Sequence, residues 1–308
     1  MVSAPEATAV IGGAARSGVA TGILAGLGAG ALWGLSFVAP RMAGGFAALD
    51  VAAGRFVTYG LLALALMLAR RRLPTARQAL AALGLSVLGF TGYYLLLVLA
   101  IRDLGVGLPA LIVGTIPVWV MLLGKPQGLR WAALLPGLVF TVAGLVCMAQ
   151  PQQGAQEEHF ARGLAYAACA TASWTAFSLL NGAWLQRHPE IGAADWANWL
   201  GAATGLGGLL LWLAAGTPAA LLVRTPGFAA FALLSLAVGF GSSWLATILW
   251  NMASQRLSGS LCGQLIVSET LFALLYAFVW DAQWPAPVQW AAVALFTAGI
   301  MASIRAHR

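Results

Sequence analysis

Ten apolar segments of roughly 20 residues, joined by short polar connections, make up most of this chain. A helix needs about 20 mainly apolar residues to cross the hydrocarbon core of a bilayer. Only 8% of the residues are charged, whereas a soluble domain has about 25%. The sequence therefore predicts an all-α integral membrane protein with ten transmembrane helices, at 19–38, 48–69, 77–101, 106–124, 130–149, 162–184, 194–214, 227–252, 259–280 and 287–304.

The two halves of the chain resemble each other. Aligning Gly22 with Gly163 places Trp33 on Trp174 without a gap, and Gly89-Phe90 in the third segment matches Gly239-Phe240 in the eighth. Each half has five segments, an odd number, so the two halves must insert with inverted topology. The predicted units are an N-terminal tail 1–18, a first five-helix repeat 19–149, a linker 150–161, a second five-helix repeat 162–304 and a C-terminal tail 305–308.

The basic residues predict the orientation, because cytoplasmic loops carry an excess of Lys and Arg. With the N-terminus inside, eleven basic residues are cytoplasmic and four lie outside. Both termini are therefore expected in the cytoplasm of a multi-pass inner-membrane protein. The net charge of +7 is explained by these loops, and nucleic-acid binding is not expected because there is no soluble surface to carry it.

Signatures of catalysis and of cofactor binding are missing from the sequence. The three cysteines lie within apolar segments without metal-ligand spacing, and the three histidines lie in loops or the tail. No nucleotide-binding fingerprint is present, since the glycine-rich stretch lies in a lipid-length helix without a preceding strand. We expect no enzyme activity, no cofactor and no metal site, and any active transport must use a gradient.

Several short motifs, in order, resemble those of the drug/metabolite transporter superfamily, in particular its ten-helix group with two EamA-type units. They are Trp33-Gly34, Arg55-Phe56 and the segment around Pro117, while Trp250-Asn251 is similar to the aromatic amino-acid exporters of that superfamily. The resemblance implies alternating access around a central cavity lined by helices one, three, four, six, eight and nine. Glu269 departs from the pattern, because many members have proline there.

Polar and aromatic residues inside these helices are candidates for the cavity. Aromatic side chains can stack on a flat substrate, and uncharged amides and hydroxyls suit a zwitterion or a polar neutral solute. The candidates are Trp33, Ser36, Tyr94, Trp174, Ser178, Ser243, Trp250, Gln264 and Ser268. For each aromatic residue the alternative is core packing or lipid contact, and for the polar ones it is interhelical hydrogen bonding.

Glu269 and Arg55 are charged residues within predicted spans. A charge at the bilayer centre costs about 2.5–3.5 kcal/mol on insertion scales. Glu269 therefore has either a functional role, in proton coupling or cation binding, or a structural role as a paired group. Arg55 is either a structural anchor or a site for a substrate carboxylate. Glu269 is rotated by about 100° from Ser268, so one of them faces the cavity and the other an interface. We favour Gln264 and Ser268 as the cavity residues.

Two features predict helix packing and bending. Gly22, Gly26, Gly30 and Gly34 recur every four residues and form a small stripe on which another helix can pack closely. That stripe serves packing within one chain or between chains, and the oligomeric state is left open. Pro117 removes a backbone hydrogen bond from the fourth helix, which makes this position a candidate hinge.

Together these observations favour a secondary transporter that exports small organic metabolites, with aromatic or apolar amino acids as the first choice. Its partners would be the lipid bilayer and a small solute, with proton coupling left open. The alternative is cationic drug efflux by proton antiport through Glu269. A second alternative is a non-transporting membrane enzyme or scaffold.

Overall fold

Ten long α-helices, and no strand, are present in the residues that the computed structural model describes, which are 4–38, 42–105, 107–148, 159–282 and 284–307. They are α1 (Ala4–Gly34), α2 (Ala48–Arg70), α3 (Ala76–Leu104), α4 (Gly107–Leu123), α5 (Trp131–Met148), α6 (Phe160–Arg187), α7 (Ala193–Ala215), α8 (Phe228–Arg256), α9 (Gly259–Asp281) and α10 (Pro287–Ala306). A short helix, Ala219–Leu222, lies between α7 and α8.

The membrane-protein fold class is confirmed. Eight helices are long and apolar enough to cross a bilayer, and the apolar parts of α1 and α4, Gly18–Gly34 and Gly107–Leu123, are shorter. The predicted tail 1–18 is helical from Ala4 onward, because its alanine-rich sequence has high helix propensity. Residues 150–158 of the predicted linker lie outside the described residues, as do 1–3 and 308 of the tails.

The helices pack as expected for two inverted repeats. Helix α2 packs along α7, α4 against α9, and α5 along α10, so that equivalent helices of the two halves pair with each other. Helix α1 packs on α8 and α9, while its counterpart α6 packs on α3 and α4. The contacts are thus exchanged between the halves as an approximate twofold axis requires.

The α2–α7 contact is close because two glycines meet there. A Cβ atom added to Gly60 would lie 2.5 Å from the Cα atom of Gly205, and a Cβ atom added to Gly205 would lie 2.5 Å from that of Gly60. The two backbones therefore touch at this crossing. Small residues allow such an approach in membranes, where helices associate through close packing.

Helices α3 and α8 each contain a π-helical segment, Val87–Thr91 and Gly239–Leu245. These segments hold the matched sequences Gly89-Phe90 and Gly239-Phe240, so the irregularity occurs in both repeats. π-helical turns are rare and frequently occur at functional sites.

Helix α4 is interrupted near its middle. Its two parts are Gly107–Val113 and Ile116–Leu123, with Gly114 and Thr115 between them. Pro117 is in the first turn of the second part, where its missing N–H needs no helical acceptor. The candidate hinge therefore lies at an interruption of the helix.

Candidate functional site

Three tryptophans from both repeats meet against the buried core, and we call them the tryptophan cluster: Trp33 on α1, Trp174 on α6 and Trp250 on α8. The ring centroids are 5.3 Å apart for Trp33 and Trp250, 6.0 Å for Trp33 and Trp174, and 6.1 Å for Trp174 and Trp250. Trp250 is only 1% exposed, whereas Trp33 and Trp174 are partly exposed. Two rings of the cluster, those of Trp33 and Trp174, are therefore partly exposed. The buried ring of Trp250 packs against both of them.

A row of further rings connects this cluster to α2. The ring of Phe177 lies 5.8 Å from that of Trp174, the ring of Phe90 lies 5.4 Å from that of Phe177, and Phe56 is 6.3 Å from Phe90. Phe90 lies in the π-helical segment of α3, and a Cβ atom at its neighbour Gly89 would overlap the ring of Phe177. Phe90 and Phe177 were not among the predicted site residues, although the repeated Gly-Phe pair was a signal for the first.

Arg55 lies at the α2 end of this row. Its Nη1 donates a hydrogen bond to Ser36 Oγ at 3.0 Å, and its guanidinium carbon is 4.8 Å from the centroid of the Phe56 ring. Its Nε is buried and has no hydrogen-bond acceptor in the part of the chain that the structure describes. Tyr94 is also here, with its ring 6.0 Å from that of Phe56 and its hydroxyl donating to the Ala48 carbonyl at 3.0 Å.

Glu269 on α9 lies beside α1. A Cβ atom at Gly30 would be 3.0 Å from the backbone nitrogen of Glu269. The carboxylate is close enough to Arg55 for the two charges to interact. Among the described contacts, no ion pair within 4 Å joins Arg55 to Glu269. The two charges therefore act on each other across a gap.

Gln264 and Ser268 belong to helix interfaces, which differs from the arrangement that we favoured from the sequence. Gln264 is fully buried and donates from Nε2 to Thr141 Oγ1 on α5 at 3.1 Å. Ser268 is buried beneath Gly30 and donates to the carbonyl of Leu265 at 2.7 Å. Glu269 is rotated by about 100° from Ser268, and it is partly exposed whereas Ser268 is buried.

Ser178 and Ser243 are buried, and neither hydroxyl has a hydrogen-bond partner among the described residues. Ser243 lies in the π-helical segment of α8. Ser178 lines a cavity of about 250 Å³ that is also bordered by Gly124, Gln186, Leu257 and Cys262. This cavity lies at the end of the bundle near Lys125, Arg187 and Arg256, which we call the basic end.

The glycine stripe of α1 packs within the chain. A Cβ atom at Gly22 would lie 2.9 Å from the Leu257 side chain, one at Gly26 would lie 2.7 Å from the Leu265 side chain, and one at Gly34 would lie 2.9 Å from the Ala273 nitrogen. These neighbours are on α9 or at the end of α8. The stripe therefore fits α1 against α8 and α9.

An ion pair that we did not predict closes the junction of α3 and α6. Arg162 donates from Nε to Asp103 Oδ2 at 2.7 Å and from Nη2 to Asp103 Oδ1 at 3.1 Å. The side chain of Asp103 is only 2% exposed. Sequence gave little signal for this pair, because the partners are 59 residues apart and belong to different repeats.

Two inverted five-helix repeats are an arrangement of membrane transporters, and comparison with known proteins shows that class. Residues 20–150 match the sequence model of the EamA-like transporter family. The chain is 33% identical over 306 residues to the inner membrane protein YtfF of Escherichia coli strain K12. The alignment covers 93% of this chain and 95% of that protein. The chain therefore belongs to the EamA-like transporter family of the drug/metabolite transporter superfamily.

A solved crystal structure has the same fold. It superposes with a TM-score of 0.72 and 20% sequence identity, over 92% of this chain and 98% of that one. At this identity the likeness concerns the fold alone. It agrees with the ten-helix arrangement described above.

Proposed function

We propose that this chain is a secondary transporter that exports small organic metabolites, with aromatic and apolar amino acids as its principal substrates. The observation that carries the proposal is the tryptophan cluster, which is built from both repeats. Inverted repeats in transporters place the substrate site near the bilayer midplane, at the interface of the two halves. Partly exposed indole rings that come from both halves offer a stacking surface for an apolar side chain.

Alternating access is the mechanism that we propose for this site. The two repeats would move relative to each other and expose the tryptophan cluster first to one side of the membrane and then to the other. The break in α4 next to Pro117 and the π-helical segments of α3 and α8 are places where helices can bend. We propose that the basic end faces the cytoplasm together with both termini, and that the units 19–149 and 162–304 are the moving parts.

Cationic drug efflux through Glu269 is the second candidate. The observation that favours it is that Glu269 is partly exposed and has no described ion-pair partner within 4 Å. The interaction of Glu269 with Arg55 argues in the other direction. A nearby guanidinium lowers the affinity of the site for a lone cation.

Counterflow in proteoliposomes tests the proposal. Vesicles containing the purified protein are preloaded with one amino acid, and uptake of the same labelled amino acid is followed. We expect exchange of large apolar and aromatic amino acids, and loss of most of it in Trp174→Ala. The matched control is Trp290→Ala, since Trp290 is 51% exposed at the start of α10, far along the chain from the cluster. Folded protein that exchanges an organic cation but no amino acid would contradict the proposal.

A further inference from the structure

We infer that Arg55 and Glu269 together bind the charged head group of an α-amino acid, with Arg55 holding the carboxylate and Glu269 the ammonium group. The inference rests on the proposed function and specifies the substrate as a zwitterion. It also gives Glu269 a role in substrate binding, which differs from the proton-coupling role considered above.

Arg55 has donors that the protein leaves unused. A guanidinium group carries five N–H donors in a planar fork that matches a carboxylate. Here Nη1 donates to Ser36, and Nε is buried without an acceptor. A buried donor without a partner costs free energy. A substrate carboxylate that accepted from this edge of the guanidinium would remove the cost.

Glu269 supplies the opposite charge without pairing directly with Arg55. It interacts electrostatically with Arg55 but does not form an ion pair within 4 Å. Charge-assisted hydrogen bonds are about 2.7–2.9 Å long, so a ligand that bonds to both groups requires them to be further apart than a direct salt bridge allows. A zwitterion neutralises both charges at once, whereas a cation or an anion leaves one of them unpaired in a medium of low dielectric constant.

The tryptophan cluster lies where the side chain of such a ligand would extend. Gly30, Trp33 and Ser36 follow each other at intervals of three residues along α1 and its 3₁₀ extension, which places them along one side of the helix. Gly30 contacts the backbone of Glu269, and Ser36 contacts Arg55. Trp33 therefore lies between the positions where α1 meets the two charged residues.

Competition in the counterflow assay tests the inference on the unaltered protein. The exchanged substrate is phenylalanine, and the competitors are unlabelled phenylalanine, phenethylamine, which lacks the carboxylate, and 3-phenylpropionate, which lacks the ammonium group. Hydrogen bonds to charged groups contribute enough that losing one costs roughly ten- to hundred-fold in affinity. We expect each analogue to compete at least about ten-fold more weakly than phenylalanine.

Two variants identify which charge binds which group. Arg55→Gln should weaken phenylalanine and leave phenethylamine unchanged or stronger, while Glu269→Gln should weaken phenylalanine and leave phenylpropionate unchanged or stronger. A purely structural role would weaken all three ligands together. Arg224→Gln is the control, since Arg224 is an exposed arginine. If Arg55→Gln does not fold, Arg55→Lys is used in its place, and if Glu269→Gln does not fold, Glu269→Asp is used. Both of these substitutions keep the charge.

The outcomes separate this inference from the proposed function. Exchange of phenylalanine in which both analogues compete as strongly as phenylalanine itself overturns the head-group site and leaves the amino-acid exporter standing. Folded protein that exchanges no amino acid overturns both. Strong competition by phenethylamine alone would mean that Glu269 binds cations without help from Arg55, which also overturns the inference.

Discussion

The junction of α3 with α6 and the junction of α8 with α1 are equivalent in the two repeats, but different chemistry holds them together. At the first, Gly163 packs against Asp103 and Leu104. At the second, its counterpart Gly22 packs against Arg256 and Leu257. The glycine contact is therefore repeated, and in both repeats it lies at the C-terminal end of the partner helix.

Only the first of these junctions contains an ion pair among the described residues. There Arg162 and Arg102 both donate to Asp103. At the second junction Arg256 donates to the Met252 carbonyl at 2.9 Å, and the apolar Leu257 is only 4% exposed. The cavity of about 250 Å³ borders on Leu257 at this basic end. The two junctions thus share a backbone arrangement but differ in their contacts. An ion pair closes the junction of α3 with α6, and an apolar contact closes the junction of α8 with α1.

Leu257→Ala should have the largest effect on stability. Removing a buried leucine costs about 2–5 kcal/mol, since transfer free energy is lost and a cavity remains. We expect a clear fall in the melting temperature of the detergent-solubilised protein. Leu213→Ala is the matched control, because Leu213 is 67% exposed. Equal falls for the two variants would show that Leu257 does not hold the second junction.

Asp103→Asn should lower the melting temperature by a smaller amount, about 2–4 °C, because a neutral amide cannot accept two charge-assisted hydrogen bonds from Arg162. A double-mutant cycle with Arg162→Gln measures the coupling between the two residues. We expect the double variant to be less destabilised than the sum of the single ones. Strict additivity would mean that the pair does not contribute to closing the first junction.

Labelling of Cys262 tests whether the two junctions open and close together. In a variant with Cys147→Ser and Cys169→Ser, Cys262 is the single thiol and it borders the cavity at the basic end. If opening of one end accompanies closing of the other, Asp103→Asn shifts the population away from the state with this cavity. The rate of Cys262 alkylation should then fall. An unchanged or faster rate would mean that the two ends move independently.

Glycine substitutions should have the smallest net effects, because a packing cost and a gain in helix stability oppose each other. A Cβ atom at Gly163 would lie 2.6 Å from the Leu104 side chain, against 2.9 Å between Gly22 and the Leu257 side chain. Overpacking costs typically 1–3 kcal/mol, and alanine regains about 0.5–1 kcal/mol of helix stability over glycine. We expect Gly163→Ala to be destabilised more than Gly22→Ala in thermal unfolding. Gly84→Ala, which has nothing within 4 Å, should be stabilised, and a reversed order would contradict the comparison.

Helix positions were predictable to within a few residues for most of the chain. The second segment was predicted at 48–69 and α2 is Ala48–Arg70, and the ninth was predicted at 259–280 and α9 is Gly259–Asp281. Bilayer thickness sets the length of an apolar helix, so hydropathy reports it directly. The prediction of the first helix, at 19–38, was less accurate at both ends. Helix propensity extends this helix toward Ala4, and it ends at Gly34.

The candidate site was predictable only in part. The alignment of the repeats selected Trp33 and Trp174, whose rings are in contact, since an inverted repeat relates them by symmetry. It did not reveal that Gln264 turns toward Thr141 while Glu269 is the partly exposed residue. Neighbouring positions on a helix differ by about 100°, so a prediction of facing depends on knowing which helix packs on which side.

The sequence by itself determined the membrane environment, the number of helices, most of their bounds and the duplication into two units of opposite orientation. These properties depend on hydropathy, segment length and repeated residues, all of which are local. The tertiary structure alone decided that Gly30 covers Ser268, that Arg55 and Glu269 interact without pairing, and that Asp103 binds Arg162. Those contacts join residues far apart in the chain, and their geometry exists only after the helices have packed.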